Sequence, residues 1–154
     1  MSTFSIDQIG AIFTDVLMEV ISTTSGFSFN LSSTEYDSDF DQMIGIVNLN
    51  GRNQGNVFIS AGEHTMRVIS SFMTGISQDE LTMDDMEDAL CEIVNMTAGN
   101  AKLRFNDAEQ LFTLSPPFLI RGKDMSITTK KRVSIISRVL KNEELSVKLK
   151  VVFY

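Results

Sequence analysis

A long amphipathic segment, residues 84–103, constrains the fold of this chain more than any other stretch. At helical spacing one side of the segment is apolar, formed by Met86, Leu90, Ile93, Val94, Thr97 and Ala101. The opposite side carries five residues in steps of four and three, here called the polar ridge: Asp88, Glu92, Asn95, Gly99 and Lys102. The pattern predicts a helix that buries its apolar side and holds Glu92 and Asn95 one turn apart in solvent.

The composition fits one compact domain. A chain of 154 residues with 43% hydrophobic content can bury a sizeable core but is short for two domains, so we predict a single domain over residues 1–154. The sequence lacks the pattern of a signal peptide and any apolar run near the roughly 20 residues of a membrane span. These features predict a soluble, cytoplasmic protein without membrane insertion. One cysteine, Cys91, and one histidine, His64, leave too few ligands for a His/Cys metal site.

The charge distribution is uneven. The formal net charge is −7, and residues 1–51 carry all of the excess because they contain seven acidic and no basic residues. The basic residues gather late in the chain, in strand-like sequence without aromatic interleaving, and we interpret them as solvated strand faces and turns. The acidic balance argues against nucleic-acid binding, which needs phosphate neutralisation.

The other segments predict two further helices and six or seven strands. Ser5 can cap a helix over residues 5–23, Thr82 with Asp85 can cap the long helix, and Gly26 and Gly75 are expected helix ends. The second helix, residues 63–73, should turn Met66, Ile69, Phe72 and Met73 inward. Strands are predicted at 27–31, 43–50, 56–60, 110–115, 118–122, 132–140 and 145–154.

Hairpin connections dominate these strands, as at Asn50-Gly51, so the predicted fold class is α/β (α+β), a largely antiparallel sheet with long helices packed on it. Pro116-Pro117 cannot lie in a central ladder. The last strand, 145–154, is long and regular, and we expect it at a sheet edge, where it could pair with a second copy in a homodimer.

Residues 15–26 and 88–99 share a pattern. When the two segments are aligned, Asp, Leu, Glu, Thr and Gly coincide. This indicates a pseudo-twofold repeat of a helix plus a β-hairpin, although two amphipathic helices can also be similar by chance. In the first copy, Glu19 takes the place of Glu92 and Ser22 takes the place of Asn95.

The Glu92-x-x-Asn95 motif is followed by Gly99-Asn100-Ala101, with a helix at the N-terminus and a late Pro-Pro-Phe-Leu-Ile-Arg-Gly strand. Together these features resemble the CheC/CheX/FliY chemotaxis phosphatases, and the single motif and the length resemble the CheX type most. The resemblance implies a phosphatase that hydrolyses the aspartyl phosphate of a CheY-like response regulator. It also implies a dimer, no cofactor of its own, and Mg²⁺ on the partner receiver domain.

The residue types suit this chemistry. An acyl phosphate is already activated, so a catalyst must mainly hold a water in line with the phosphorus, and a carboxamide such as Asn95 can do so. Under the resemblance, Glu92 docks the receiver lysine, and Asp88, Gly99 and Lys102 contact the partner. Asn100 falls towards the apolar side in projection, which suggests a structural hydrogen bond.

Two alternatives remain open at this point. The chain could be a non-catalytic receiver-binding or flagellar-switch/signalling interaction domain, or an α/β regulatory module unrelated to phosphorelays. In either case Glu92 and Asn95 could be ordinary surface residues.

Overall fold

The computed structural model describes residues 4–105, 112–130 and 133–154. Its helices are α1 (Ile6–Ser25), α2 (Glu63–Thr74) and α3 (Met83–Arg104). Its strands are β1 (Asn30–Ser33), β2 (Met43–Asn50), β3 (Gly55–Ala61), β4 (Thr113–Leu114), β5 (Phe118–Arg121), β6 (Ser134–Asn142) and β7 (Leu145–Phe153). Every pairing among these strands is antiparallel, so the predicted fold class is confirmed. The predicted strand residues 110–111 and 132 lie outside the described residues.

The helix ends are set by local contacts, as the sequence indicates. The side chains of Ser5 and Thr82 each accept a hydrogen bond from the backbone three residues on, and the residue there, Gln8 or Asp85, accepts one in return. Helices α1 and α2 end at Gly26 and Gly75, both in the left-handed conformation that glycine adopts without a steric penalty.

The sheet has the symmetry of the predicted repeat. Its order is β1-β6-β7-β3-β2-β4, and β5 pairs with β2 beside β4. Each half of the chain supplies a helix, an edge strand and a hairpin: α1 with β1 and β2–β3, then α3 with β4–β5 and β6–β7. The edge strands are exchanged, since β1 pairs with β6 and β5 pairs with β2. The two hairpins meet at the β3–β7 pair, and α2 joins the halves.

Strands β4 and β5 pair with successive parts of β2, on either side of Pro116 and Pro117. The link between them is fixed because Asn48 and Ser115 bond reciprocally: the Asn48 N–H donates to Ser115 Oγ (2.8 Å), and the Ser115 N–H donates to the Asn48 carbonyl (3.0 Å). The proline pair therefore interrupts an edge strand, where the missing N–H groups break no central ladder.

The expected edge position of the C-terminal strand and the expected inward position of Phe72 are both wrong. Strand β7 lies in the middle of the sheet, between β3 and β6, so the C-terminal strand has no free edge for pairing with a second copy. A dimer formed in another way stays a prediction. Phe72 was expected to face inward, yet its side chain is 62% exposed. Its ring meets the ring of Phe27 edge-on, with 4.8 Å between the two ring centres. The first strand also begins later than predicted, at Asn30, so Phe27 lies before it.

The face of the sheet that points away from the helices is crossed by two chain segments, residues 36–42 and 122–127. They bond to each other through the Phe40 N–H to the Met125 carbonyl and the Ile127 N–H to the Ser38 carbonyl, each 2.9 Å. Beneath them Lys150 is 1% exposed, donates to the Asp39 carbonyl (2.5 Å) and lies 4.3 Å from the centre of the Phe40 ring.

The prediction of solvated strand lysines is therefore wrong for Lys150. Burial lowers the pKa of this ammonium below its usual value. Its neighbour Lys148 is partly exposed and pairs with Asp37 at 3.1 Å.

Candidate functional site

Helix α3 is held tightly against β2, and this contact orients the polar ridge. A Cβ atom added to Gly45 of β2 would lie 3.0 Å from Val94 Cγ1 and 3.2 Å from the Leu90 carbonyl oxygen. Glycine therefore allows the helix to lie directly on the strand. With Leu90, Ile93, Val94 and Ala98 buried beneath it, the helix turns its other side to solvent.

The polar ridge lies where the sequence predicts. Asp88, Glu92 and Asn95 are exposed, and Gly99 and Lys102 are half-buried. Glu92 and Asn95 are three residues apart on one helix, so their Cβ atoms are about 5–6 Å apart. Within residues 4–105, 112–130 and 133–154, neither side chain has a hydrogen-bond or salt-bridge partner, so both can bind a group that arrives from outside.

The space beside Gly99 is open on the same side of α3. A Cβ atom added there would meet no atom of the described residues within 4 Å, so their packing does not require glycine at this position. The missing side chain instead leaves a low point on the helix surface next to Asn95, where another molecule can approach the backbone.

Two residues near the ridge differ from the sequence-based picture. Asn100 is exposed, so its expected place on the apolar side is wrong. Leu103, which is not among the predicted site residues, is 82% exposed. It follows Glu92 by eleven residues, about three helical turns, and this spacing could have identified it as part of the same face.

The electrostatic surroundings of the ridge are acidic. Glu87, next to the ridge, forms a salt bridge with Arg121 of β5. Burial, followed by the charges of Asp88 and Glu87, raises the pKa of the Cys91 thiol, so this group stays protonated and is a poor nucleophile.

Within the described part of the chain, no group of three or more His, Cys, Asp or Glu residues could hold a metal ion, and no helix is long and apolar enough to cross a membrane.

The matching face of α1 differs from the ridge in two ways. Asp15, Glu19 and Ser22 are exposed, as their counterparts on α3 are, but Ser22 has a hydroxyl where Asn95 has a carboxamide. In addition, the guanidinium of Arg104 at the end of α3 pairs with the carboxylate of Glu19. Glu92 has no such partner among the described residues, so only the α3 copy offers an unpaired carboxylate beside a carboxamide.

A sequence model of the family described as chemotaxis phosphatase CheX matches residues 43–140, which include the whole polar ridge. The chain belongs to the CheX family. It is 26% identical over 87 residues to the CheY-P phosphatase CheX of Thermotoga maritima, and the aligned stretch is 55% of this chain and 55% of that protein.

Solved CheX structures share the fold. The chemotaxis protein CheX of Vibrio vulnificus superposes with a TM-score of 0.82 at 21% identity, covering 95% of this chain and 99% of that one. The CheX of the CheX–CheY–BeF3–Mg complex from Borrelia burgdorferi superposes with a TM-score of 0.78 at 17% identity, covering 93% and 96%. These likenesses extend beyond the matched family region to α1 and to nearly the whole sheet.

Proposed function

We propose that this protein is a phosphatase that hydrolyses the aspartyl phosphate of a CheY-like receiver domain. The observation that carries the proposal is the pair Glu92 and Asn95 on a helix fixed by its core contacts. Both side chains are exposed, they lie one helical turn apart, and neither has a hydrogen-bond or salt-bridge partner among the described residues. Family membership supplies the class of partner, because the Thermotoga relative is named a CheY-P phosphatase and the Borrelia structure is a complex with CheY.

Asn95 is the catalytic residue of this proposal. Its carboxamide accepts a hydrogen bond through the oxygen and donates through the nitrogen, so it can hold a water in line with the phosphorus. The water oxygen forms the new P–O bond as the bond to the aspartate breaks, which yields inorganic phosphate and a free aspartate carboxylate. The Mg²⁺ belongs to the receiver and neutralises charge on the phosphoryl oxygens.

Glu92 sets the docking register. Its carboxylate pairs with the lysine of the receiver active site, and a charge-assisted contact of this kind fixes orientation as well as adding affinity. Asp88 and Lys102 place opposite charges towards the two ends of the ridge, and Gly99 lets the partner approach the helix between Asn95 and Lys102.

The experiment measures the decay of a phosphorylated receiver with and without this protein. Asn95→Ala should lower the accelerated rate by about 10²–10³-fold, the usual cost of removing one positioned hydrogen-bonding group, with little change in Kd. Glu92→Ala should raise the Kd about tenfold and retain most of the rate at saturation. Asn100→Ala is the matched control for the chemistry, because it removes the same side chain from the same helix about 140° away from Asn95, and it should leave the rate at saturation unchanged.

The outcomes separate the proposal from its alternative. Receiver binding by the wild-type protein without faster decay would favour the non-catalytic interaction domain. Equal acceleration by wild type and Asn95→Ala would refute the role of the carboxamide. If Asn100→Ala were as inactive as Asn95→Ala, the effect would reflect damage to the helix and not lost chemistry.

A further inference from the structure

Leu103 is a large apolar side chain held in solvent. It is 82% exposed, the highest value among the exposed large hydrophobic residues that the structure describes. It lies in the last turn of α3, before the chain turns inward at the buried Phe105. Burial of a leucine is strongly favourable in water, so exposure this complete leaves a contact for a partner to make.

Leu103 continues the face that carries the candidate catalytic pair. It follows Glu92 by about three full turns and Gly99 by about one turn, so the three residues form one line along the helix. Its distance from Asn95 along the helix axis is about 12 Å. An interface that covers about 800 Å² of one partner extends roughly 16 Å from its centre if it is round. A receiver centred on Asn95 therefore also covers Leu103.

We propose that Leu103 is an apolar anchor of the receiver-docking surface, buried against the phosphorylated receiver when Asn95 reaches the phosphoryl group. The inference rests on the proposed function. Gly99 lies between Asn95 and Leu103 along the helix, and a Cβ atom built there would meet no atom of the described residues within 4 Å, so no side chain at this position separates the two. Leu103 supplies affinity that does not depend on salt, whereas Glu92 supplies orientation and salt-dependent attraction.

The test is the Kd for a beryllofluoride-activated CheY-like receiver, measured by titration calorimetry on the full chain. Leu103→Ala and Leu103→Gln should each raise the Kd about tenfold, with an unchanged salt slope and a single-turnover rate at saturation within twofold of wild type. Thermal unfolding should hardly change, since alanine and glutamine are good helix formers. Glu92→Ala should instead flatten the salt slope.

The matched control is Leu31→Ala. Leu31 is 45% exposed on β1, at the end of the sheet farthest from β4 and β5, whereas α3 packs on β2, β3 and β5. The same substitution there should leave the Kd unchanged.

The results separate this inference from the proposed function. A Kd within twofold of wild type for both Leu103 variants would overturn the anchor and leave the role of Asn95 standing. Loss of a concentration-dependent dimer with unchanged receiver affinity would assign the surface to a second copy and also overturn it. Binding without hydrolysis would contradict the phosphatase alone, and the Kd comparison would still decide on Leu103. No binding by the wild-type chain would refute both.

Discussion

Replacing Gly45 by alanine should lower the stability of the protein and leave its chemistry intact. The new Cβ would lie 3.0 Å from Val94 Cγ1 and 3.2 Å from the Leu90 carbonyl oxygen, closer than the roughly 3.5–4.0 Å of a comfortable contact. Because the carbonyl belongs to the backbone of α3, a rotamer change cannot relieve that contact. The helix must move away from β2 by several tenths of an ångström.

The expected magnitude follows from two opposing effects. Overpacking at a tight core contact costs about 1–3 kcal/mol of unfolding free energy. Replacing glycine by alanine also restricts the unfolded chain, which returns about 0.4–1 kcal/mol, and Gly45 is not among the glycines with a positive φ, so alanine adds no backbone strain. These ranges leave a net loss between about 0 and 2.6 kcal/mol, and the contact with a backbone atom, which no rotamer change relieves, favours the middle of that range, about 1–2 kcal/mol. Glu92 and Asn95 move together with α3, so the rate of receiver dephosphorylation at saturation should stay within twofold of wild type.

The measurement combines urea unfolding with the receiver-decay assay, and Gly99→Ala is the matched control on the other side of the same helix. A Cβ atom at Gly99 comes within 4 Å of no atom in the described part of the chain, so this variant should gain about 0.5–1 kcal/mol in stability and bind the receiver more weakly. Unchanged stability of Gly45→Ala would show that the contact of α3 with β2 is not tight. A loss of saturated activity in the folded variant would show that the site extends beyond α3.

Three further outcomes concern contacts away from the ridge. Lys150→Ala should cost about 2–4 kcal/mol in urea unfolding, because it removes a buried stem and the bond to the Asp39 carbonyl. Because the pKa of Lys150 is lowered in the folded chain, the folded chain loses the ammonium proton at a lower pH than the unfolded chain. The unfolded chain therefore binds more protons just below about pH 10.4, so the stability of the wild type should rise with pH there, relative to Lys150→Met. Ser22→Asn should restore no phosphatase activity to Asn95→Ala, because Arg104 still pairs with Glu19 on α1. Accelerated receiver decay by the double variant would contradict this expectation.

The features that could be predicted from the sequence depend on short stretches of chain. The caps at Ser5 and Thr82 and the helix ends at Gly26 and Gly75 involve residues within a few positions of one another. The exposure of Glu92 and Asn95 follows from the helical period alone, since the apolar side of α3 must be buried. The polar ridge can therefore be predicted from the sequence without knowledge of the fold.

The features that could not be predicted depend on contacts between distant segments. Burial of Lys150 requires knowing that residues 36–42 cross that face of the sheet, and the central place of β7 requires knowing that it pairs with β3. Phe72 satisfies the helical period of α2, yet its side chain is 62% exposed and its ring meets the ring of Phe27, a neighbour 45 residues away in sequence. The Arg104–Glu19 pair likewise joins two helices that are far apart in sequence.

The exchanged edge strands have a consequence for how the chain acquires its structure. Strand β1 pairs with β6, which follows it by about a hundred residues. Neither half of the chain therefore contains the partner of its own edge strand. Closing such long loops is entropically costly, so folding should be slow and dominated by non-local contacts. During synthesis the first half leaves the ribosome with an unpaired edge on β3 until β7 arrives. Fragments cut at the α2–α3 link should remain unfolded alone and recover structure only when mixed.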